Sequence, residues 1–257
     1  MSFFDWIARL ASEYWLQLLK GTGYTMAMAL VGTLVGFLIG LGIAIVRTVP
    51  VRPSDSGFKK VTLKAVNFLL SVYIEVVRGT PMMVQALIIH YSLFQRIAMP
   101  SLLSALIIIS FNTGAYMAEI VRGGIQSIAV GQTEGAASLG MTHMQTMTSV
   151  ILPQAVRNIM PSIGNEFVVN IKDSSVLSVI SITELMFASK QAGGTYMQFV
   201  PAYVICAAIY FVLTFTTTRI LRLLENKMNG PENYVVNGSQ TVPEAVIQVK
   251  KEDEVHD

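Results

Sequence analysis

Charge is what this chain has least of. Only 13% of its 257 residues are charged, against 53% hydrophobic, and the mean hydropathy is +0.56. A soluble domain carries about 25% charged residues, so the shortage argues against a soluble protein and places the chain in a bilayer. The net charge of +2 is too small to recommend nucleic acid as a partner. Cysteine is nearly absent. Cys206 stands alone in an apolar run, so it closes no intrachain disulfide, and no His/Cys cluster offers a metal site. Its default role is packing, as a small hydrophobe. The phosphate-loop pattern G-x-x-x-x-G-K-[ST] is missing, so the chain does not hold ATP in the usual way. No catalytic constellation appears. The N-terminus carries Asp5 and Glu13 and lacks a short apolar core before a small-residue cleavage site, which argues against a secretory signal.

Long uncharged runs are what the chain has instead. Phe3, Ile7, Leu10, Tyr14 and Leu18 recur at helical spacing between Trp6 and Trp15, so residues 1–20 read as an amphipathic helix lying at the membrane interface. Gly21 to Val46 is free of charge over 26 residues. At about 1.5 Å per residue this crosses a hydrocarbon core of about 30 Å. Gly32, Gly36 and Gly40 share one face of that span and invite another helix to approach closely. Pro50, Pro53 and Gly57 predict a loop. Residues 61–77 read as a surface helix, too interrupted by Lys64 and Glu75 to cross alone. "RGTP" at Arg78 to Pro81 ends it, and Pro81 suits the start of a second span over Met82 to Gln95. A third span begins at Pro100, a fourth near Pro153, and a fifth near Gln198. Residues 228–257 form a polar tail expected to be disordered in the cytoplasm.

Cations orient these spans. Arg47, Arg52, Lys59, Lys60 and Lys64 fall within eighteen residues, with Asp55 the only acid among them, and Arg219, Arg222 and Lys227 close the fifth span. Cytoplasmic loops collect Lys and Arg. The pattern therefore predicts five spans over 21–227, with the N-terminus outside and the C-terminus in the cytoplasm.

One stretch is neither apolar enough for a span nor polar enough for a loop. "EGAASLGMTHMQTMTSVILPQAV" at Glu134 to Val156 puts Ala136, Ala137 and Gly140 on adjacent turns. A helix of such small residues can press its backbone into a groove on another protein, and Glu134 near its N-terminus complements the macrodipole. On physics alone this is either a cytoplasmic docking helix or an ordinary connection. The pattern of Glu, two small residues, three residues, then Gly140, with Val150-Ile151-Leu152-Pro153 nine residues on, resembles the EAA loop of ABC importer permeases. It departs at Gly135, where that family usually has Ala. "VYIEVVRGTPMMVQ" (72–85), "FNTGAYMAEIVRGGIQSIAVGQTEGAASLGM" (111–141) and "LPQAVRNIMPSIGNEFVVNIKDSSVLSVISITEL" (152–185) further resemble the polar amino acid permeases of histidine, glutamine, arginine and glutamate importers. "SIAV" at 127–130 is a second departure, where Pro and a cation are frequent.

The resemblance implies an all-α, five-span permease of the type I, MetI-like class in a bacterial inner or plasma membrane. Its coupling helix would lie at about 131–149 and comprise Glu134, Gly135, Ala136, Ala137, Gly140 and His143. It implies separate ABC ATPase subunits that hold ATP and Mg, no cofactor in this chain, a second copy or a similar permease, and an external substrate-binding protein. Glu166 lies about three turns into the fourth span, beyond Pro161 and Gly164, which suggest a broken helix. Carboxylates at such depth face a cavity or a partner, so a structural pair with Lys172 or Arg157 competes with a transport role. The resemblance implies that Glu166 and Asn165 line the substrate path, with Ser174 and Ser175 further along and Asp173 the other acid nearby. Asn112, Thr113 and Tyr116 either complete that cavity or bond helices together. Glu75, Arg78, Glu119 and Arg122 suggest salt bridges bracing a gate or, equally, solvated charges. His90 is a lone histidine best read as packing. The rival function is an ion-coupled secondary amino acid transporter with Glu166 as its ion site.

Overall fold

The computed structural model describes residues 1–50 and 56–229, so Arg52, Pro53 and Asp55 of the basic loop and the polar tail beyond residue 229 lie outside the described residues. The chain is helical throughout these segments. Helix α1 (Phe3–Arg47) opens on a reciprocal cap: Ser2 Oγ accepts from the Asp5 amide, and the Ser2 amide donates to the Asp5 carboxylate at 2.7 Å. The boundary expected near residue 20 is absent. No residue there breaks the helix, and Gly21 lets the backbone at Glu184 and Leu185 approach so closely that a Cβ would sit 2.9 Å from Leu185 Cα. The amphipathic stripe is also placed differently from expectation. Leu10 packs with Ala192 and Ala202, and Leu18 with Leu185, Ala188 and Cys206, so its buried side faces protein.

Helix α2 (Gly57–Gly79) starts at Gly57, which was expected in a loop, because Ser56 caps the Lys59 amide. Helix α3 (Met82–Ile89) follows and extends into a π turn over His90–Phe94. Thirteen residues rise about 20 Å, too little for the expected second span. The apolar unit is α2 and α3 together, bent by 112° at "RGTP". The rest of the chain is α4 (Ser101–Gln126), α5 (Val130–Ser138), α6 (His143–Thr146), α7 (Leu152–Asp173), α8 (Leu185–Thr195) and α9 (Phe199–Asn229). Among the described residues α1, α4 and α9 are long and apolar enough to cross a membrane, with the bent α2–α3 pair a fourth candidate.

The glycine face of α1 meets α4 closely. A Cβ at Gly32 would lie 3.0 Å from Ile109, at Gly36 2.7 Å from Thr113, and at Gly40 2.5 Å from Met117. Both numbers rise together, so α1 and α4 run parallel. Helix α7 runs against them: Thr113 meets Asn170, while Gly124 meets Ile159. Helix α9 runs with α1, since Ala202 lies beside Leu10 and Cys206 beside Leu18, and antiparallel to α7. The C-terminal ends of α1, α4 and α9 therefore share one end of the bundle with α5. Arg47, Arg122, Arg219, Arg222 and Lys227 all sit on those ends.

Two breaks fall elsewhere than the sequence suggested. Helix α7 passes through Pro161 unbroken, with Pro161 buried, and Gly164 admits Leu221 of α9. The change of path comes at Ser174, where a 3-10 stretch (Ser174–Ile180) begins and ends on Ser181 at φ 63°. The small-residue helix α5 ends at Ser138, before the 149 expected of a continuous segment. Gly140, at φ 75°, stops α5: its amide donates to Ala137 O at 2.9 Å, and the Met141 amide to Ala136 O at 3.1 Å. This 5→2 and 6→1 pair demands a left-handed residue, which glycine supplies without a Cβ penalty. Thr142 and Gln145 then form a capping box that starts α6, so His143 belongs to the following rod. That rod runs through a π turn (Met147–Ile151) into α7, where Pro153 has no amide to donate to an earlier turn.

Candidate functional site

Asn170 is the centre of a buried polar lock. Thr113 Oγ1 donates to Asn170 Oδ1 at 3.0 Å, and Asn170 Nδ2 donates to Thr33 Oγ1 at 2.9 Å. The three residues join α4, α7 and α1, and all are buried. Thr113 is thus engaged between helices, and its hydroxyl is not offered to a cavity. Asn112 is engaged as well: its Nδ2 donates to Gln85 Oε1 at 3.0 Å, while Gln85 Nε2 donates to Val77 O and Thr80 O, closing the end of α2. Asn112 therefore holds the "RGTP" bend. Ser174 is buried with its hydroxyl donated to Ile171 O at 2.9 Å, and Ser175 donates to Lys172 O at 2.6 Å. Neither Asn170 nor Thr33 stood out in the sequence. Replacing Asn170 by Val should strand the buried Thr113 hydroxyl, while Thr33 still donates to Ala29 O, and should lower thermal stability by about 1–3 kcal/mol, read as a falling midpoint in detergent; an unchanged midpoint would refute the lock.

One turn from Asn170, Glu166 is only 3% exposed. Asn165 beside it is half-buried. Tyr116 of α4 is within electrostatic reach of Glu166, Asp173 and Arg78. The Arg78 guanidinium, on the last turn of α2, lies over the Tyr116 ring at 5.5 Å. Of the expected path residues, Glu166 and Tyr116 are thus within electrostatic reach of one another, and Arg78, assigned by sequence to a gate, stacks on Tyr116. Both signs of charge are therefore within electrostatic reach of Tyr116.

Arg78 also reaches a second cluster. Glu119 receives Arg47 at 3.1 Å and Arg122 at 2.7 Å, with Arg78 at 4.0 Å. Three helices, α1, α2 and α4, are tied by that one carboxylate. Glu75 is exposed and takes no part.

At the same end of the bundle, α5 presents Glu134, Gly135, Ala137 and Gly140 to the outside, while Ala136 is buried against its own chain. A Cβ at Gly135 would meet nothing within 4 Å, so the departure from Ala leaves the surface shape open. Leu139 is 83% exposed at the helix tip. Such an apolar tip on a small-residue rod is a docking feature.

Glu184 is the residue that sequence reasoning passed over. Its carboxylate caps α8, accepting the Met186 amide at 2.8 Å and the Phe187 amide at 2.7 Å, and Tyr210 of α9 donates to it at 2.9 Å. Burial pushes its carboxyl above the ordinary carboxylate range, against the opposing pull of these donors. The available signal was a single acid between two uncharged runs. His90 is buried in the π turn. Among the described residues no three of His, Cys, Asp and Glu gather as a metal site.

Comparisons with known proteins agree on the class. Residues 61–230 match the family described as "Binding-protein-dependent transport system inner membrane component". The L-cystine transport system permease protein TcyB of Bacillus subtilis (strain 168) is 33% identical over 220 residues, 84% of this chain and 88% of that one. The glutamine transport system permease protein GlnP of Escherichia coli (strain K12) is 32% identical over 231 residues, 88% and 98% of the two chains. A solved structure, "Crystal structure of an amino acid ABC transporter with histidines", superposes with a TM-score of 0.74 at 35% identity, covering 88% of this chain and 99% of that one. An inward-facing MetNI methionine ABC transporter shares the fold, with a TM-score of 0.63 at 20% identity over 81% and 96%.

Proposed function

The chain belongs to the family of binding-protein-dependent transport inner membrane components, and on that premise we propose that it is the permease of an ATP-driven importer of polar amino acids. It is a multi-pass membrane subunit, and ATP hydrolysis belongs to a separate subunit. In this reading an external binding protein delivers the amino acid, two permeases pair as identical or similar copies, and two ATPase subunits holding ATP and Mg grip α5. The basic ends of α1 and α9 support a cytoplasmic side for α5 and the end of the described chain, with the N-terminus outside. The α2–α3 pair and α7 complete five passes.

The observation that carries the amino acid reading is the stacking of Arg78 on Tyr116, with Glu166 and Asp173 within electrostatic reach of the same tyrosine. A free amino acid carries a carboxylate and an ammonium group a few bonds apart, so its site needs both signs of charge. Arg78 suits the carboxylate as a planar double donor. Glu166 and Asp173 suit the ammonium group. Helix α5 lies between the end of α4, which holds Tyr116, and the rod leading into α7, which holds Glu166 and Asp173. Motion of α5 therefore changes the spacing of the two helices that hold the ligand. The cycle works only if the amino acid binds the two states differently.

The test is uptake by proteoliposomes holding the permease with its co-expressed ATPase and binding protein, using a panel of labelled polar amino acids. Glu166→Ala and Arg78→Ala should each lower uptake and substrate-stimulated ATP hydrolysis at least tenfold, about 1.4 kcal/mol of lost interaction, with the complex still assembled on a sizing column. Unchanged uptake in both variants would remove the site. Uptake without any ATPase would favour the ion-coupled transporter instead.

A further inference from the structure

A cleft of about 320 Å³ opens between α7 and α9, apart from the Tyr116 cluster. Its wall carries three cations, Lys172, Arg219 and Arg222, and no carboxylate. Val168, Phe211 and Phe215 supply the apolar part, and the Arg219 guanidinium lies over the Phe215 ring at 4.9 Å. The two threonines in the wall are spent as donors: Thr214 Oγ1 donates to Tyr210 O at 2.9 Å and Thr218 Oγ1 to Thr214 O at 2.7 Å. The free donor capacity of the cleft is therefore cationic. Arg219 and Arg222, about one turn apart on α9, repel one another, and a bound anion relieves that repulsion.

The layout narrows the class of anion. Arg219 and Arg222 lie toward the charged end of α9, while Phe211 lies two to three turns deeper in its uncharged run. A ligand filling the cleft thus meets two guanidinium groups near the membrane surface and mainly apolar side chains deeper, with Lys172 among them. A free phosphate or an amino acid lacks the apolar part. Basic pockets between membrane helices hold anionic headgroups in this way. We propose that the α7–α9 cleft is a binding site for an anionic phospholipid. Arg219 and Arg222 hold its phosphodiester, and an acyl chain lies along Phe215 and Phe211 toward the deeper end of the cleft, where Lys172 stands.

The test is native mass spectrometry of the detergent-purified permease–ATPase complex with added phosphatidylglycerol, phosphatidylcholine or inorganic phosphate. The wild-type complex should retain phosphatidylglycerol at high collision energy in preference to phosphatidylcholine, and inorganic phosphate should not displace it. R219Q/R222Q should lower retention on the order of tenfold, and K172Q alone should lower it less. The single variants R219Q and R222Q serve should the double variant fail to assemble. Equal retention of the two lipids, or of phosphatidylglycerol by wild type and variants, would overturn the proposal. Displacement by inorganic phosphate would reduce the cleft to a simple anion site. A spontaneous disulfide between two permease copies carrying F215C would show that the second copy covers the cleft, and would likewise overturn it.

Discussion

Leucine in place of Gly40 is expected to abolish recovery of a monodisperse, folded permease. A Cβ at Gly40 would lie 2.5 Å from Met117 Cβ and 2.6 Å from both the Ala118 amide nitrogen and the Met117 carbonyl carbon. Two of those three atoms are backbone, so α4 cannot yield by turning a side chain. It must move as a helix, and the same seam holds Gly32 against Ile109 and Gly36 against Thr113. Overpacking by a methylene or two costs about 1–3 kcal/mol, and the four carbons of leucine exceed what the seam can absorb. Gly40→Ala should lower the thermal midpoint measurably, and Gly40→Leu should eliminate the sizing-column peak. Gly42 is the control, because a Cβ there meets nothing within 4 Å. Gly42→Ala should be neutral or stabilise by about 0.5–1 kcal/mol through helix propensity. A normal peak and midpoint for Gly40→Leu would refute the parallel α1–α4 seam.

Removing Glu184 should have the next largest effect. Glu184→Ala takes away the cap of α8 and strands the Tyr210 hydroxyl, and the Met186 and Phe187 amides lose their acceptor. Loss of a helix cap costs about 1 kcal/mol and each buried donor left unmade about 1–3 kcal/mol, so a total of about 3–5 kcal/mol is expected in thermal unfolding. Glu184→Gln keeps an acceptor oxygen for one amide and should lose about half as much. The folded-state pKa of Glu184 lies above its unfolded value, so the native chain binds the proton more tightly. Its pH-dependent contribution is then fully present below the unfolded carboxylate value and is lost as pH rises through the folded one. Glu184→Gln should flatten that part of the stability profile. A profile identical to wild type would show that the carboxyl does not titrate as burial requires.

Several features were legible because they rest on local chemistry. The uncharged runs fix where a chain can meet hydrocarbon, and the helices α1, α4 and α9 cover them. The spacing of Gly32, Gly36 and Gly40 announces a close neighbour whatever that neighbour is. The Glu134–Gly140 pattern was read as a short docking helix, and the structure supplies a reason for its glycine that docking did not: the left-handed turn that ends α5. Other features were misread for equally physical reasons. The second span expected over Met82 to Gln95 comes out too short, because an uncharged run does not show where its helix bends away from the one before it. Pro161 looked like a break, because a missing amide is visible in sequence while the packing that tolerates it is not. Glu184 went unnoticed because the Tyr210 hydroxyl that binds it lies 26 residues further along the chain, on the next helix.

By itself the sequence determined that the chain is a helical membrane protein, which end of each run carries its cations, and where a small-residue rod interrupts the apolar pattern. All of these follow from the cost of placing charge in hydrocarbon and from helix periodicity, which act over a few turns. The tertiary structure alone decided which helices run parallel, that Asn170 locks three of them, that Arg78 stacks on Tyr116, and that α7 and α9 leave a cationic cleft. Those facts depend on which side chains become neighbours once helices pack, and close packing is a property of whole surfaces that no single stretch of sequence contains.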